Sequence, residues 1–132
     1  MPTEVRVSIS TEGDVILARQ NGRELAQISG LTGTDVVLVA TAISEVARNI
    51  LRYAGEGEVV LTIESAGRGA LMVTAQDRGP GIADIELAML DGYSTGSSLG
   101  LGLPGARRLM DEFELVSELG HGTRVTMRKW LA

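Results

Sequence analysis

The residues best suited to chemistry are a carboxylate, an amide and a guanidinium at helical spacing. Glu45 and Asn49 are four residues apart and Arg52 follows three residues later, so a helix would project all three along one face. A carboxylate can accept a proton from an attacking hydroxyl or water, and an amide oxygen can hold a Mg²⁺ ion that also takes phosphate oxygens. We interpret Glu45 as a candidate base and Asn49 as a candidate metal ligand. The alternative is a solvated face with a weak Arg–Glu pair.

A glycine-rich stretch from Asp77 to Gly105 would present backbone to a ligand. Its glycines are Gly79, Gly81, Gly92, Gly96, Gly100, Gly102 and Gly105. Glycine lets a ligand touch the main chain without steric penalty, and Gly105 precedes a helical pattern that begins at Ala106. Because a helix N-terminus fed by a glycine loop binds anions through its free N–H groups, the stretch predicts a site for a phosphate-bearing ligand.

Asp77 opens this stretch at the end of a predicted strand. Its carboxylate only accepts hydrogen bonds, so it can receive the exocyclic amine of adenine. The alternative is an ordinary turn, since Pro80 and Gly81 suit the central positions of type II. Asp77 together with the helix face that carries Glu45 and Asn49 favours a nucleotide site.

The segment Gly100–Gly105 matches the string G-x-G-x-x-G, but glycine-rich loops occur in several classes of phosphate-binding site. A dinucleotide-binding turn needs a strand directly before the first glycine, whereas residues 94–98 read Ser-Thr-Gly-Ser-Ser. There is no Gly-Lys-Ser/Thr of a Walker loop. The single lysine, Lys129, lies near the C-terminus, while the phosphate-binding lysine of eukaryotic-type kinases lies on an early strand. The string alone is therefore weak evidence for any class.

Composition limits the classes of partner that we expect for this chain. The chain has 132 residues, a net charge of −5, no cysteine and four aromatic residues. This length fits one domain over residues 1–132, and the acidic balance with few aromatics argues against nucleic-acid binding. We see neither a signal-peptide pattern nor the ~20 apolar residues of a membrane helix. We expect a cytoplasmic protein whose partners are proteins or nucleotides.

Hydrophobic periodicity predicts the elements that position these residues. The predicted strands are residues 5–9, 59–64, 70–76, 114–119 and 123–130, and the predicted helices are residues 14–28, 34–53, 83–90 and 106–112. Thr34 is expected to cap the second helix. Helices grouped between antiparallel hairpins indicate an α+β fold, a two-layer sandwich with helices on one face of the sheet.

Four segments carry a resemblance to a known family. Ser44–Ile50, Asp77–Gly81, Gly100–Gly105 and Gly120–Thr123 resemble, in this order, the N, G1, G2 and final Gly-Thr boxes of the GHKL ATPase superfamily, which includes gyrase, heat-shock chaperones, histidine kinases and MutL. The resemblance implies a Bergerat-type sandwich with a mixed, mostly antiparallel sheet and a Gly-rich ATP lid. It also implies ATP and Mg²⁺ as cofactors.

The resemblance assigns roles residue by residue. It implies that Asn49 binds Mg²⁺, that Glu45 is the base and that Asp77 reads adenine. The implied remaining cofactor contacts are Gly79 and Gly81 shaping the pocket, Gly100, Leu101, Gly102, Leu103 and Gly105 around the phosphates, and Thr123 near the adenine.

The chain departs from related kinases in its lid, because residues 95–99, Thr-Gly-Ser-Ser-Leu, contain no Lys or Arg. Positive charge at the phosphates is often a large catalytic term. Either Arg107 or Arg108 would supply it, or Mg²⁺ and backbone N–H groups would.

Within the superfamily, the short length and the run Asp91–Glu114 look like the serine/threonine kinases of the stressosome switch, close kin of the SpoIIAB and RsbW anti-sigma kinases. The implied substrates are Ser or Thr hydroxyls on STAS-domain proteins of the RsbS and RsbR type. The kinase would then leave and activate a PP2C-type phosphatase of the RsbU type. Two alternatives remain open: an anti-sigma factor or other binding module gated by its nucleotide, and a detached histidine-kinase catalytic domain.

Overall fold

The computed structural model describes residues 4–81 and 102–131. In chain order the elements are β1 (Glu4–Ile9), α1 (Glu12–Ile28), α2 (Thr34–Tyr53), β2 (Gly57–Glu64), β3 (Ala70–Asp77), α3 (Gly102–Leu109), β4 (Glu112–Glu118) and β5 (Gly122–Trp130). All five predicted strands are confirmed, with ends that differ by one or two residues. The predicted helix over residues 83–90 lies outside the described residues.

The strands form one five-stranded sheet in the order β1-β2-β3-β5-β4. Every pairing is antiparallel. The resemblance implied a mixed, mostly antiparallel sheet, whereas the described strands are all antiparallel. Inward-facing strand residues such as Val59, Val73 and Met127 share one hydrophobic core with Val39 and Ile43 of α2. The two-layer α+β sandwich is thereby confirmed, with the helices on one face.

A capping box begins α1. The Thr11 hydroxyl accepts from the Asp14 N–H at 3.2 Å, and Asp14 Oδ2 accepts from the N–H groups of Ser10 and Thr11 at 2.9 and 3.0 Å. These contacts satisfy donors that the first helical turn leaves unpaired. The hydrogen bond from the Ser10 backbone lowers the pKa of Asp14 below its usual value. The helix therefore begins at Glu12, two residues before the predicted start.

The predicted cap of α2 is wrong. Thr34 is the first residue of the helix, and the N-cap is Gly33, which makes no side-chain hydrogen bond. Gly33 has a φ of +53°, a conformation that glycine adopts without the steric penalty of a Cβ. The sharp entry into α2 selects a glycine at the position where a hydroxyl could have capped.

The third helix also differs from its prediction, because it begins at Gly102 and ends at Leu109. Gly105 lies inside the helix and does not precede it, and Glu112 begins β4. Pro104 is compatible with the early start, since the first N–H groups of a helix have no intrahelical acceptor. Leu103 and Ala106 are buried and α3 packs on α2. The helix therefore includes residues 102–105, the last four residues of the glycine box.

The single lysine anchors the other end of α3. Lys129 on β5 is buried, and its Nζ donates to the Leu109 carbonyl oxygen at 3.2 Å. Its Nζ also lies 3.7 Å from Asp35 Oδ1 and 3.8 Å from Asp111 Oδ1. One ammonium group thus links the C-terminal end of α3 to the N-terminal end of α2.

The segment that follows β3 packs against the turn between β4 and β5. The Gly120 N–H donates to the Pro80 carbonyl oxygen at 2.9 Å. A Cβ on Gly81 would lie 2.5 Å from the Glu118 carbonyl oxygen, and a Cβ on Gly122 would lie 2.1 Å from the Asp77 carbonyl oxygen. Side chains at these positions would collide with main chain, so glycine is required for the approach.

Within the described ranges, no helix has the length and apolar character needed to cross a membrane.

We predict that Gly122→Ala destabilises the fold more than Gly120→Ala does. Both glycines have positive φ, +97° and +80°, and an alanine there costs about 1–2 kcal/mol. Only Gly122 has main chain where the new Cβ would lie, whereas Gly120 has nothing within 4 Å, so overpacking adds about 1–3 kcal/mol at Gly122 alone. Urea denaturation of both variants measures the difference, and equal losses would contradict the packing argument.

Candidate active site

Polar residues line one end of the sheet on the face that the helices cover. In the strand register, Gly57 of β2 pairs with Asp77 of β3, Asp77 with Thr123 of β5, and Thr123 with Ser117 of β4. Side chains two residues apart on a strand share a face, so Asp77 points to the same side as the core residue Ala75. Asp77, Thr123 and Ser117 therefore form one polar row beneath the helix layer.

The Asp77 carboxylate is held by main-chain donors at one oxygen. Its Oδ1 accepts from the Gly79 N–H at 2.9 Å and from the Thr123 N–H at 3.3 Å. Among the described residues nothing donates to Oδ2. Asp77 as a whole is only 7% exposed. Within the described residues, a carboxylate held in a fixed orientation therefore has one oxygen to which no group donates.

The C-terminal half of α2 lies on the same side of the sheet as Asp77. A Cβ on Gly57 would meet Ile50 Cγ2 at 2.9 Å and Asp77 Cβ at 3.1 Å. A Cβ on Gly79 would lie 2.6 Å from Ala54 Cβ. The last turns of α2 therefore pack directly against the strand end that carries Asp77.

Glu45 is not on a solvated helix face, contrary to the alternative interpretation. Its side chain is only 10% exposed, and its Oε1 lies 3.6 Å from Nη1 of Arg48, which is 43% exposed. That distance exceeds hydrogen-bond range, so the contact is electrostatic. Within the described segments no donor is hydrogen-bonded to the Glu45 carboxylate. A nearly buried carboxylate therefore keeps its acceptor capacity.

Asn49 and Arg52 complete the helix face. Asn49 is half-buried and Arg52 is exposed. No hydrogen bond joins the Asn49 side chain to another residue in the described part of the chain. An amide and a carboxylate that accept no hydrogen bond from the described residues thus lie one turn apart on the helix that packs beside Asp77.

The glycine box is only partly described. Gly100 and Leu101 lie outside the described residues, as do the lid residues 95–99. Gly102 begins α3, and Leu103 is 5% exposed and belongs to the core. Any contact between Leu103 and a ligand would therefore come from its main chain.

Two basic residues follow the glycine box. Arg107 and Arg108 are in the last turn of α3, at the opposite end from Gly102. Their predicted role at the phosphates remains a prediction. His121 is exposed in the hairpin turn, where its N–H donates to the Glu118 carbonyl oxygen at 2.9 Å.

Sequence reasoning missed Ser117. Its Oγ lies 2.8 Å from Thr123 Oγ1 and donates to the Gly122 carbonyl oxygen at 3.2 Å. The available signal was its place in β4, where Phe113 and Leu115 alternate with outward residues and Ser117 is the next inward position. Only the strand register shows that this position faces Thr123.

Comparison with known proteins identifies the family. Residues 34–132 match the family described as histidine kinase-, DNA gyrase B-, and HSP90-like ATPase. The chain is 48% identical over 126 residues to the serine/threonine-protein kinase RsbT of Bacillus subtilis (strain 168), covering 95% of each chain. It is 32% identical over 116 residues to an anti-sigma F factor of Halalkalibacterium halodurans, covering 83% of this chain and 79% of that one.

Solved structures share the fold. A crystal structure of the RsbU and RsbW domains of a Mycobacterium tuberculosis protein superposes with a TM-score of 0.68 at 23% identity, covering 98% of this chain and 32% of that one. A histidine kinase domain from Erythrobacter litoralis gives a TM-score of 0.53 at 20% identity, covering 91% of this chain and 60% of that one. The chain therefore belongs to the histidine kinase-, DNA gyrase B- and HSP90-like ATPase family, and its enzymatic class is that of an RsbT-like protein serine/threonine kinase.

Proposed function

We propose that this kinase transfers the γ-phosphate of ATP, with Mg²⁺, to a Ser or Thr hydroxyl of a STAS-domain protein of the RsbS or RsbR type. The observation that carries the proposal is the Oδ2 of Asp77, to which no described residue donates, beside the helix that bears Glu45 and Asn49. The first group suits an adenine amine, and the other two suit the reacting end of the nucleotide.

Asp77 would bind the exocyclic amine of adenine through Oδ2. Two main-chain donors on Oδ1 fix the orientation of the carboxylate before a ligand arrives, so little side-chain entropy is lost on binding. Gly79 and Gly81 would allow close approach of the base, since neither carries a side chain.

Asn49 would take part in holding Mg²⁺. Its amide oxygen has no hydrogen-bond partner among the described residues, and no cluster of three or more His, Cys, Asp or Glu in those residues could hold a metal alone. That donor set fits Mg²⁺, which commonly takes one or two protein ligands together with substrate phosphates and water. When bound, the ion neutralises charge on the phosphates.

Glu45 would act as general base. As the hydroxyl oxygen of the acceptor forms its bond to the γ-phosphorus, the bond from that phosphorus to the β,γ-bridging oxygen breaks and ADP leaves. The hydroxyl proton passes to Glu45. Arg48, 3.6 Å away, keeps the carboxylate in place without occupying it by a hydrogen bond.

The start of α3 would bind the phosphates. Gly102 is its first residue, and the unpaired N–H groups and the dipole at a helix N-terminus favour anions. Gly100, Leu101, Leu103 and Gly105 would contribute main chain to the same box. Lys129 fixes the far end of α3 and so sets the direction of the helix.

A second use of the site is a nucleotide-gated binding module, which the similarity to anti-sigma F factors favours. The two uses are compatible in one chain. We propose that the kinase, released from its phosphorylated STAS partner, binds and activates a PP2C-type phosphatase of the RsbU type.

We predict that Asp77→Asn weakens Mg-ATP binding by about tenfold or more, equivalent to roughly 1.4 kcal/mol. Asparagine can place its amide N–H₂ where Asp77 has Oδ2, and this donor would then face the amine of adenine, which is also a donor. Isothermal titration calorimetry measures the dissociation constant. Glu24→Gln is the control that removes one carboxylate elsewhere, because Glu24 is exposed on α1. Equal effects of the two variants would remove Asp77 from the nucleotide site.

We predict that Glu45→Gln lowers phosphate transfer to a purified RsbS-type protein by about 10²–10⁴-fold, with the dissociation constant of Mg-ATP changed by less than about threefold, since glutamine keeps the shape and loses the base. Labelled ATP measures transfer. The labelled product should survive acid, as phosphoserine does and phosphohistidine does not. If wild-type protein binds ATP and transfers nothing to the STAS protein, the proposed acceptor is wrong.

A further inference from the structure

A chain of hydrogen bonds runs from the edge strand to the proposed adenine site. Ser117 Oγ on β4 contacts Thr123 Oγ1 on β5 at 2.8 Å, and the Thr123 N–H donates to Asp77 Oδ1 on β3 at 3.3 Å. Thr123 and Asp77 are each 7% exposed. Three neighbouring strands therefore share one polar network at the position where the base would bind.

The hydrogens in this network determine what Thr123 offers to a ligand. A hydroxyl has one hydrogen and two acceptor sites. The Gly122 carbonyl oxygen, 3.2 Å from Ser117 Oγ, can only accept, whereas either hydroxyl could donate in the 2.8 Å contact between Ser117 and Thr123. When Ser117 gives its hydrogen to the carbonyl oxygen, the hydrogen in the short contact comes from Thr123. With its hydrogen directed at Ser117, Thr123 Oγ1 presents only lone pairs on its other side.

We propose that Ser117 determines purine specificity by holding the Thr123 hydroxyl as an acceptor. The inference rests on the proposed adenine site. Asp77 Oδ2 and Thr123 Oγ1 then make a pair of acceptors, which fits a purine edge with the two N–H bonds of an exocyclic amine. A 6-oxo purine such as hypoxanthine places a carbonyl oxygen against the same pair, which leaves buried acceptors facing each other.

The position of Ser117 fits a role in specificity. The inward residues of β4 are Phe113, Leu115 and Ser117. The first two pack against the core, and the polar one lies opposite Thr123. An apolar residue at 117 would complete the inward pattern and would leave the Thr123 hydrogen free to point at a ligand.

The test compares the dissociation constants of Mg-ATP and Mg-ITP for the full chain by calorimetry. We expect Ser117→Ala to lower the preference for ATP over ITP by about tenfold, because Thr123 could then donate to the 6-oxo group. Ser117→Thr keeps the hydroxyl and should keep the wild-type preference. Ser65→Ala, an exposed serine between β2 and β3, is the matched control. Ser117→Cys, with a weak acceptor, serves if the alanine variant does not fold.

A double-mutant comparison separates this role from a structural one. In a Thr123→Val background the Ser117→Ala change should leave the ATP to ITP preference unaltered, since no hydroxyl remains to reorient. An unchanged preference in Ser117→Ala that still binds ATP would overturn the inference and leave the Asp77 site standing. A preference that falls equally in both backgrounds would also overturn it. Wild-type protein that binds neither nucleotide would overturn the proposed function and this inference together.

Discussion

Close main-chain approach around Asp77 is the constraint on which the site depends. A Cβ on Gly57 would lie 2.4 Å from the Gln76 carbonyl oxygen, and one on Gly122 would lie 2.1 Å from that of Asp77. A Cβ on Gly79 would collide with Ala54. Because these residues have no side chains, β2, β5 and the end of α2 meet at one carboxylate. The carboxylate is thereby fixed by backbone donors, and its other oxygen accepts from no group in the described part of the chain.

Polar groups in the helix-covered layer are mostly paired, as burial requires. The buried polar or charged residues of the described ranges are Ser44, Glu45, Asp77, Thr123 and Lys129. Ser44 donates to the Ala40 carbonyl oxygen, and Lys129 links two helix ends. Glu45 differs, since among the described residues its carboxylate has an ion pair beyond hydrogen-bond range and no hydrogen-bond donor. A carboxylate acceptor of this kind can take the proton of an attacking hydroxyl.

Contacts of Lys129 fix α2 and α3 relative to each other. Lys129 holds the C-terminal end of α3 beside the N-terminal end of α2, while Gly102 and the Asn49 region lie toward the opposite ends of the same helices. Relative movement of α2 and α3 would disturb the buried ammonium. The pairing therefore keeps the two helices in register, and with them the side chains and main chain assigned to the nucleotide.

The sequence by itself determined the strands, the first two helices and the residue types at the site, because alternation and helical spacing are local properties. The chemistry assigned to Asp77, Glu45 and Asn49 also followed from residue type and spacing. Their roles as ligands remain proposals, while the family is established by comparison.

Only the tertiary structure decided how these groups are paired. Thr34 is a good cap by type, but the entry into α2 requires glycine at the N-cap. The third helix begins at Gly102, inside the glycine box, and buries Leu103 and Ala106 against the core, which helix propensity does not encode. The contact between Ser117 and Thr123 depends on how β4 aligns with β5. These features arise from contacts between segments distant in sequence, which local patterns of residues cannot specify.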